Sequence, residues 1–328
     1  MPPSPALSVS VALCTRNGER FIAAQVKSIL AQEPRVAELV VSDDGSSDRT
    51  LAIVEETVRA HGAGVRLRIL RNAEPLGVTA NFEQAIAACT GDLVALSDQD
   101  DVWHSGRLAA VVAPFEDERM LLVHSDAALV GADGEPLGGT LFEALAITAE
   151  VLAEENSGDA LGLLLRRNVV TGATTVLRAS LAARARPFPD GWVHDEWLAV
   201  CAAILGSLHG LAAPTIDYRQ HGANQIGVIR PTLRYKIARV FEPGATRQAR
   251  LARQFAQLAE RAPGFPELSD TDRARIAEKA EFEANRSRLP TNRLRRIGPI
   301  RRLARGRRYE RFASQGALDV LRDLMRAD

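Results

Sequence analysis

Residues 92–103 read DLVALSDQDDVW, an apolar run of strand length that opens directly into Asp98, Asp100 and Asp101. A helical pattern resumes over residues 105–115. Carboxylates are therefore concentrated where a strand would end, and their mutual repulsion is costly unless a cation or hydrogen-bond donors sit among them. Hard oxygen ligands of this kind suit Mg2+ or Mn2+, which bind through a few carboxylates together with substrate phosphates. Asp-x-Asp at a strand end thus reads as a grip on a metal-diphosphate. A solvated acidic turn capping the next helix is the competing reading, because turns favour Asp.

Outward toward the N-terminus, residues 8–14 (SVSVALC) have the β-branched density of a parallel strand, broken by Thr15-Arg16-Asn17-Gly18. Residues 19–32 carry a helical stripe of Phe21, Ile22, Val26, Ile29 and Leu30. Residues 36–41 return to strand character and end in Asp43-Asp44-Gly45-Ser46-Ser47-Asp48, where Ser47 or Asp48 makes a good N-cap for a helix over 49–60. A strand at 65–70 and a helix at 78–88 complete the rhythm. This strand-helix alternation predicts a parallel, doubly wound α/β sheet. Ligands in such sheets bind beyond the carboxyl ends of the strands, and residues 14–17, 43–48 and 98–101 all occupy that edge.

Beyond residue 115 the rhythm changes. Residues 120–124 and 127–131 read as two strands, with Asp133-Gly134 a hairpin turn signal. Residues 141–156 fit either class, 158–166 a short helix and 169–177 a strand. Trp192-Val193-His194-Asp195-Glu196-Trp197 leads into a helix ending at Leu205, and an extended run over 208–218 ends in Arg219-Gln220-His221-Gly222-Ala223-Asn224. From residue 232 the composition is helical, with a pair at 248–261 and 271–286 and then an arginine-dense tract over 286–311 whose only acid is Glu310.

The 328 residues suffice for one large domain or two smaller ones. With 46% hydrophobic and 25% charged residues the chain is ordinary for a globular protein, and a formal net charge of zero provides no field steering it to nucleic acid. Cys14, Cys89 and Cys201 lie far apart in apolar surroundings, which suits a reducing compartment rather than a disulfide framework. Residues 1–7 lack a secretory pattern and are expected to be a disordered tail. The most apolar helical segment, 198–213, falls short of the roughly 20 residues needed to span a bilayer, so a cytoplasmic location is expected.

With these motifs placed, the chain resembles a family-2 glycosyltransferase of the GT-A fold over roughly residues 8–225. The resemblance rests on SVALCTRNGERF, VVSDDGSSDRT, ANFEQAIAACTGDLVALSDQDDVW, HDEWLA and YRQHGANQIG in that order. The SDQDDVW form is similar to the bacterial cell-wall and O-antigen subgroup that includes rhamnosyltransferase-like members. The resemblance implies a Rossmann-like doubly wound mixed sheet over 8–230, with a nucleotide-binding half at 8–117 and an acceptor half at 118–230; the helical, Arg-rich extension at 231–328 is read from composition alone and carries no motif of the family. The resemblance also implies site roles. Cys14 and Asn17 would lie against the nucleotide, Asp44 would accept from the base imide N–H, and Asp98 would sit near the ribose or metal. Asp100 would be the principal ligand of Mg2+ or Mn2+, with His221 a further ligand. Asp195 stands at the family's catalytic base, although HDEW where many relatives read ED leaves Glu196 in contention.

The expected activity is inverting transfer of a hexose or deoxyhexose, with rhamnose a candidate, from a UDP- or dTDP-sugar to a glycan or lipid-linked acceptor. Arg219 suits a bidentate phosphate clamp or an exposed ion pair equally. His221 also fits an ordinary surface histidine, Asp195 a first-turn acid complementing a helix dipole, and Trp103, Trp192 and Trp197 either sugar contact or packing. A nucleotidyltransferase is the alternative enzyme class, but CTRNGERF has one Gly and does not supply the glycine-rich loop that class needs. A non-catalytic membrane-associated scaffold is the other alternative. The arginine tract reads as a solvated basic helix or as peripheral contact with anionic lipid at the inner membrane face, Ile297, Ile300, Leu303 and Tyr309 forming an apolar stripe beneath it.

Overall fold

Strand β1 (Val9–Thr15) is buried along its whole length, which is why the sequence there is a β-branched run rather than an alternation. It pairs in parallel with β2 (Glu38–Asp43) on one side and β4 (Leu93–Ser97) on the other, and β3 (Arg66–Arg71) extends the sheet beyond β2. Helices α1 (Ile22–Leu30), α2 (Thr50–His61) and α3 (Val78–Ala88) connect these strands. The expected α/β alternation therefore holds to within a few residues at each boundary. This computed structural model describes residues 7–221 and 244–326. The expected division at 230/231 lies outside the described residues, as does nearly all of the 1–7 tail.

After β5 (Val102–Trp103) and α4 (Arg107–Val112), β6 (Met120–Val130) crosses the position where two strands were expected. Ser125 and Asp126 do not break it because their polar atoms are satisfied inside. The Ser125 and Thr215 hydroxyls lie 2.6 Å apart, and Asp126 Oδ1 accepts from the N–H groups of Ala127 and Phe142. Strand β7 (Pro136–Thr140) returns antiparallel through the Asp133-Gly134 turn. Most of the expected 169–177 strand is instead a loop and a 3-10 turn at Gly172–Thr174, leaving the short β8 (Val176–Arg178) antiparallel to β4 and β6. Strand β9 (Ser207–Arg219) pairs parallel to β6 and antiparallel to β5. The order β3-β2-β1-β4-β8-β6-β9-β5, with β7 on β6, is the expected doubly wound mixed sheet.

The chain divides into two compact units. The first comprises Met1–Ala160, Val169–Phe188 and Val193–Val228 and holds the sheet, whose core includes Leu13, Val26, Val41, Ala95, Val123 and Ile216. The second comprises Leu161–Asn168, Pro189–Trp192 and Ile229–Asp328. Its described part is helical, with long helices at Gly244–Arg261 and Asp270–Ser287.

The second unit corrects the reading of the arginine tract. Ile300, Leu303 and Tyr309 are not a surface stripe but part of a core with Phe282, Leu289 and Phe312. Arg286 is buried and bidentate to Asp323 at 2.7 and 3.0 Å, with Glu283 at 3.3 Å. Such a pair is tolerated in the interior because each charge is met by others at hydrogen-bonding distance. Among the described residues no helix is long and apolar enough to cross a membrane.

Candidate active site

The carboxyl ends of β1, β2 and β4 lie side by side, with Thr15 opposite Asp43 and Leu13 opposite Ser97. Polar side chains stitch together the loops beyond them. Gln99 accepts from the Arg16 N–H at 2.8 Å and donates to the Arg16 carbonyl at 3.0 Å. The approach is so close that a Cβ at Gly18 would collide with the Gln99 amide. Buried Gln25 donates to Ser97 Oγ at 2.7 Å and to the Asp98 carbonyl at 3.1 Å, fixing the chain as it leaves β4. Neither glutamine was singled out from the sequence, though Gln99 sits in the middle of the acidic run.

Each carboxylate in this rim has a distinct environment. Asp44 is buried and already accepts from Leu76 N–H at 2.7 Å, Gly77 N–H at 3.0 Å and Asn72 Nδ2 at 3.2 Å, so it orders the 72–77 loop. Asp43 is engaged by Thr15 and Ser46. Asp48 accepts from the Thr50 N–H at 3.0 Å, but the N-cap of α2 is Arg49, one residue beyond the Ser47 or Asp48 expected from the sequence, and it makes no side-chain cap hydrogen bond. Asn17, exposed and at φ 48°, accepts from Ser47 N–H at 2.9 Å. Cys14 is buried in β1, and burial, then Asp98 and Asp44, pushes its thiol well above the usual range.

The acids of the opening stretch crowd one another. Burial, followed by the negative charges of Asp100 and Asp195, pushes Asp98 up to about 7. Burial and then Asp100 and Asp98 raise Asp101 as well. Asp101 Oδ1 accepts from the Arg219 N–H, and its Oδ2 is buried without a partner among the described residues. Asp100 Oδ2 lies 2.7 Å from His221 Nε2, and the imidazole stacks on Phe21 with ring centroids 4.8 Å apart. Arg219 aims Nε at the Asp100 carbonyl (2.7 Å) and Nη1 at the Ala132 carbonyl (2.9 Å), its guanidinium over the same phenyl ring. It thereby joins the acidic loop to the end of β6. Phe21, known from the sequence only as part of a helical stripe, is the platform for both the His221 ring and the Arg219 guanidinium.

Asp195 enters from the first turn of the helix His194–Leu205. It accepts from the Gly172 N–H at 3.0 Å and the Glu196 N–H at 2.7 Å, which favour the charged form, yet burial outweighs them and lifts its carboxyl to about 6. The adjacent His194 is buried, stacked on Phe82 at 4.0 Å, and neither ring nitrogen has a partner among the described residues. Burial depresses it to about 3, so the ring is neutral. Arg107 is a buried cation the sequence reading passed over. It stands over the Trp103 ring at 4.6 Å, and burial lowers it to about 9 against the opposing pull of Asp101. Trp103, Trp192 and Trp197 are all buried, in keeping with packing.

The structure thus brings Asp100 and Asp195 within electrostatic reach of Asp98 and sets Arg219 and His221, at and beyond the end of β9, against Asp100. Among the described residues no three of His, Cys, Asp or Glu are arranged to enclose a metal ion. The Asp100 and His221 pair nevertheless suits a cation that takes its remaining ligands from phosphate and water, since such ions use one or two carboxylates when substrate phosphates are present.

The family model for Glycosyl transferase family 2 matches residues 10–138. An uncharacterized glycosyltransferase of Nostoc sp. is 27% identical over 227 residues, which cover 66% of this chain and 66% of that one. Among solved structures, S. aureus TarS 1-349 in complex with UDP-GlcNAc superposes with a TM-score of 0.58 at 14% identity, covering 97% of this chain and 90% of that one. The mannosyltransferase PcManGT from Pyrobaculum calidifontis, in complex with GDP-Man and Mn2+, gives 0.55 at 18% identity, covering 93% and 77%. At such identities these likenesses establish the fold.

Proposed function

Because residues 10–138 match the family model for Glycosyl transferase family 2, we propose that the chain transfers a hexose or deoxyhexose from a UDP- or dTDP-sugar, with inversion, to a glycan or lipid-linked acceptor. The observation that carries this reading is the meeting of Asp98 and Asp100 with Asp195 from a remote helix, where the Asp195 carboxyl stands near about 6. A group in that range is ionised near neutrality yet basic enough to take a proton.

Transfer requires a proton to leave the acceptor hydroxyl as its oxygen attacks the anomeric carbon and the bond to the diphosphate breaks. Asp195 accepts that proton, held in orientation by the Gly172 and Glu196 N–H groups. Displacement from the face opposite the diphosphate inverts the centre. Asp100, with His221 beside it, would hold Mg2+ or Mn2+, which when bound neutralises charge on the departing diphosphate. Asp98 would meet the ribose or the same cation. Asp44 retains one of the roughly four acceptor positions of a carboxylate after its three loop contacts, enough for the imide N–H of uracil or thymine. Cys14 and Asn17 border the nucleotide, and Arg219 supports the loop on which the phosphates rest.

The test is a panel of UDP-, dTDP- and GDP-sugars incubated with the protein and Mn2+, with release of nucleoside diphosphate as the readout. Release from a UDP- or dTDP-sugar supports the proposal. No release from any donor, or pyrophosphate formation from a nucleoside triphosphate and a sugar phosphate, overturns it.

A further inference from the structure

The second unit carries a surface that its own core does not explain. Of the seven large apolar side chains that stand exposed among the described residues, four lie on two of its helices: Leu294 (78% exposed) and Ile297 (39%) on Arg293–Leu303, and Leu318 (65%) and Leu321 (51%) on Ala317–Met325. The two helices pack together, and Arg296 of the first donates to the carbonyls of Asp323 and Arg326 at the end of the second, at 3.3 and 2.8 Å. Soluble monomers seldom cluster apolar side chains on the surface without a use for them.

The orientation of the last helix follows from its charges. Asp319 and Asp323, one turn apart, face inward, Asp323 meeting Arg286 and Tyr309 and Asp319 lying 3.6 Å from Arg286. The acids are thereby consumed inside, and Leu318 and Leu321 are left outward. On the other helix Arg296, Ile300 and Leu303 are buried, so Leu294, Ile297 and Arg301, at i, i+3 and i+7, share the outer face. Arg293, Arg295, Arg301, Arg302 and Arg305 are exposed and form no ion pair among the described residues. Residues 293–305 contain no acid at all.

We infer that this face docks on an anionic lipid bilayer, the leucines and Ile297 entering the headgroup boundary while the arginines meet lipid phosphates. The charge pattern selects that occupant: unpaired arginines flanking exposed aliphatics complement a surface that is negative outside and apolar beneath. A second copy of the chain would have to bring these arginines against one another. A nucleic acid would meet the charges but not the leucines. The inference concerns the second unit alone and does not depend on the transferase reading.

Co-sedimentation of the full chain with vesicles tests it. The protein is expected to pellet with phosphatidylcholine vesicles containing phosphatidylglycerol, to stay in solution with phosphatidylcholine alone, and to be released by raised salt. The double variants Leu294→Ser/Leu321→Ser and Arg301→Gln/Arg302→Gln should each weaken binding about tenfold or more, with unchanged circular dichroism. Leu294→Trp and Leu318→Trp provide an independent reading, since each indole emission should shift to the blue on the anionic vesicles only. Failure of the wild type to bind those vesicles, full binding by both double variants, or a vesicle-free dimer that Leu294→Ser/Leu321→Ser converts to monomer would overturn the inference.

Discussion

The Asp195 carboxylate accepts the backbone N–H of Gly172 at 3.0 Å, although the two residues belong to a helix and a 3-10 turn separated by more than twenty positions. The contact aims one carboxylate oxygen and leaves the group in a buried setting that raises its affinity for protons. Proton acceptance by this side chain is the step the proposed reaction asks of the protein.

Asp195→Asn preserves shape but removes the basic oxygen. Turnover should fall by about 10²- to 10⁴-fold, the usual worth of a positioned general base, while donor affinity measured by calorimetry changes little. Retention of most of the activity would move the role to Glu196.

Activity and stability should respond to pH in opposite directions. Asp195 must be ionised to act, so kcat/KM should rise with pH and level off above about 6. Asp98 and Asp195 both stand above the unfolded carboxylate value near about 3.9. Between that value and about 7 the two carboxyls hold protons in the folded state that they lack when unfolded; buried His194, depressed to about 3, opposes them with a single proton, so the net is a stability without added cation that declines as pH rises through this window. Thermal melts across the range would show it, and a metal-free Tm that climbed over the same interval would contradict it.

Gly172→Ala probes the support for the base. An added Cβ would stand 2.6 Å from His194 Nε2, and that ring is itself pinned against Phe82. Relief requires the turn or the helix start to shift, at a cost of about 1 to 3 kcal/mol. A drop in kcat larger than any change in donor KM is expected, because the displaced N–H orients Asp195. Unaltered kcat would show that this contact is dispensable.

The parts of the fold visible in the sequence are those dictated by local pattern. The buried strands β1, β2 and β4 announce themselves as short apolar runs, and the acids at their ends follow from the fold's own geometry. What stayed hidden depends on partners far along the chain. Ser125 and Asp126 look like a strand break until Thr215 and Phe142 are brought to them. Arg286 reads as a surface charge until Asp323, 37 residues on, closes around it. Asp100, Asp195 and His221 were legible as candidates, whereas Gln25 and Gln99, which tie down the acidic loop, and Arg107, buried against Trp103, carried no local signature.

The most direct test of the central claim, that these acids form a cation-dependent diphosphate site, is calorimetric titration of UDP or dTDP with and without Mn2+. The account predicts binding that requires the metal and is lost in Asp100→Ala. Equal binding in the absence of metal, or undiminished metal-dependent binding by Asp100→Ala, would contradict it.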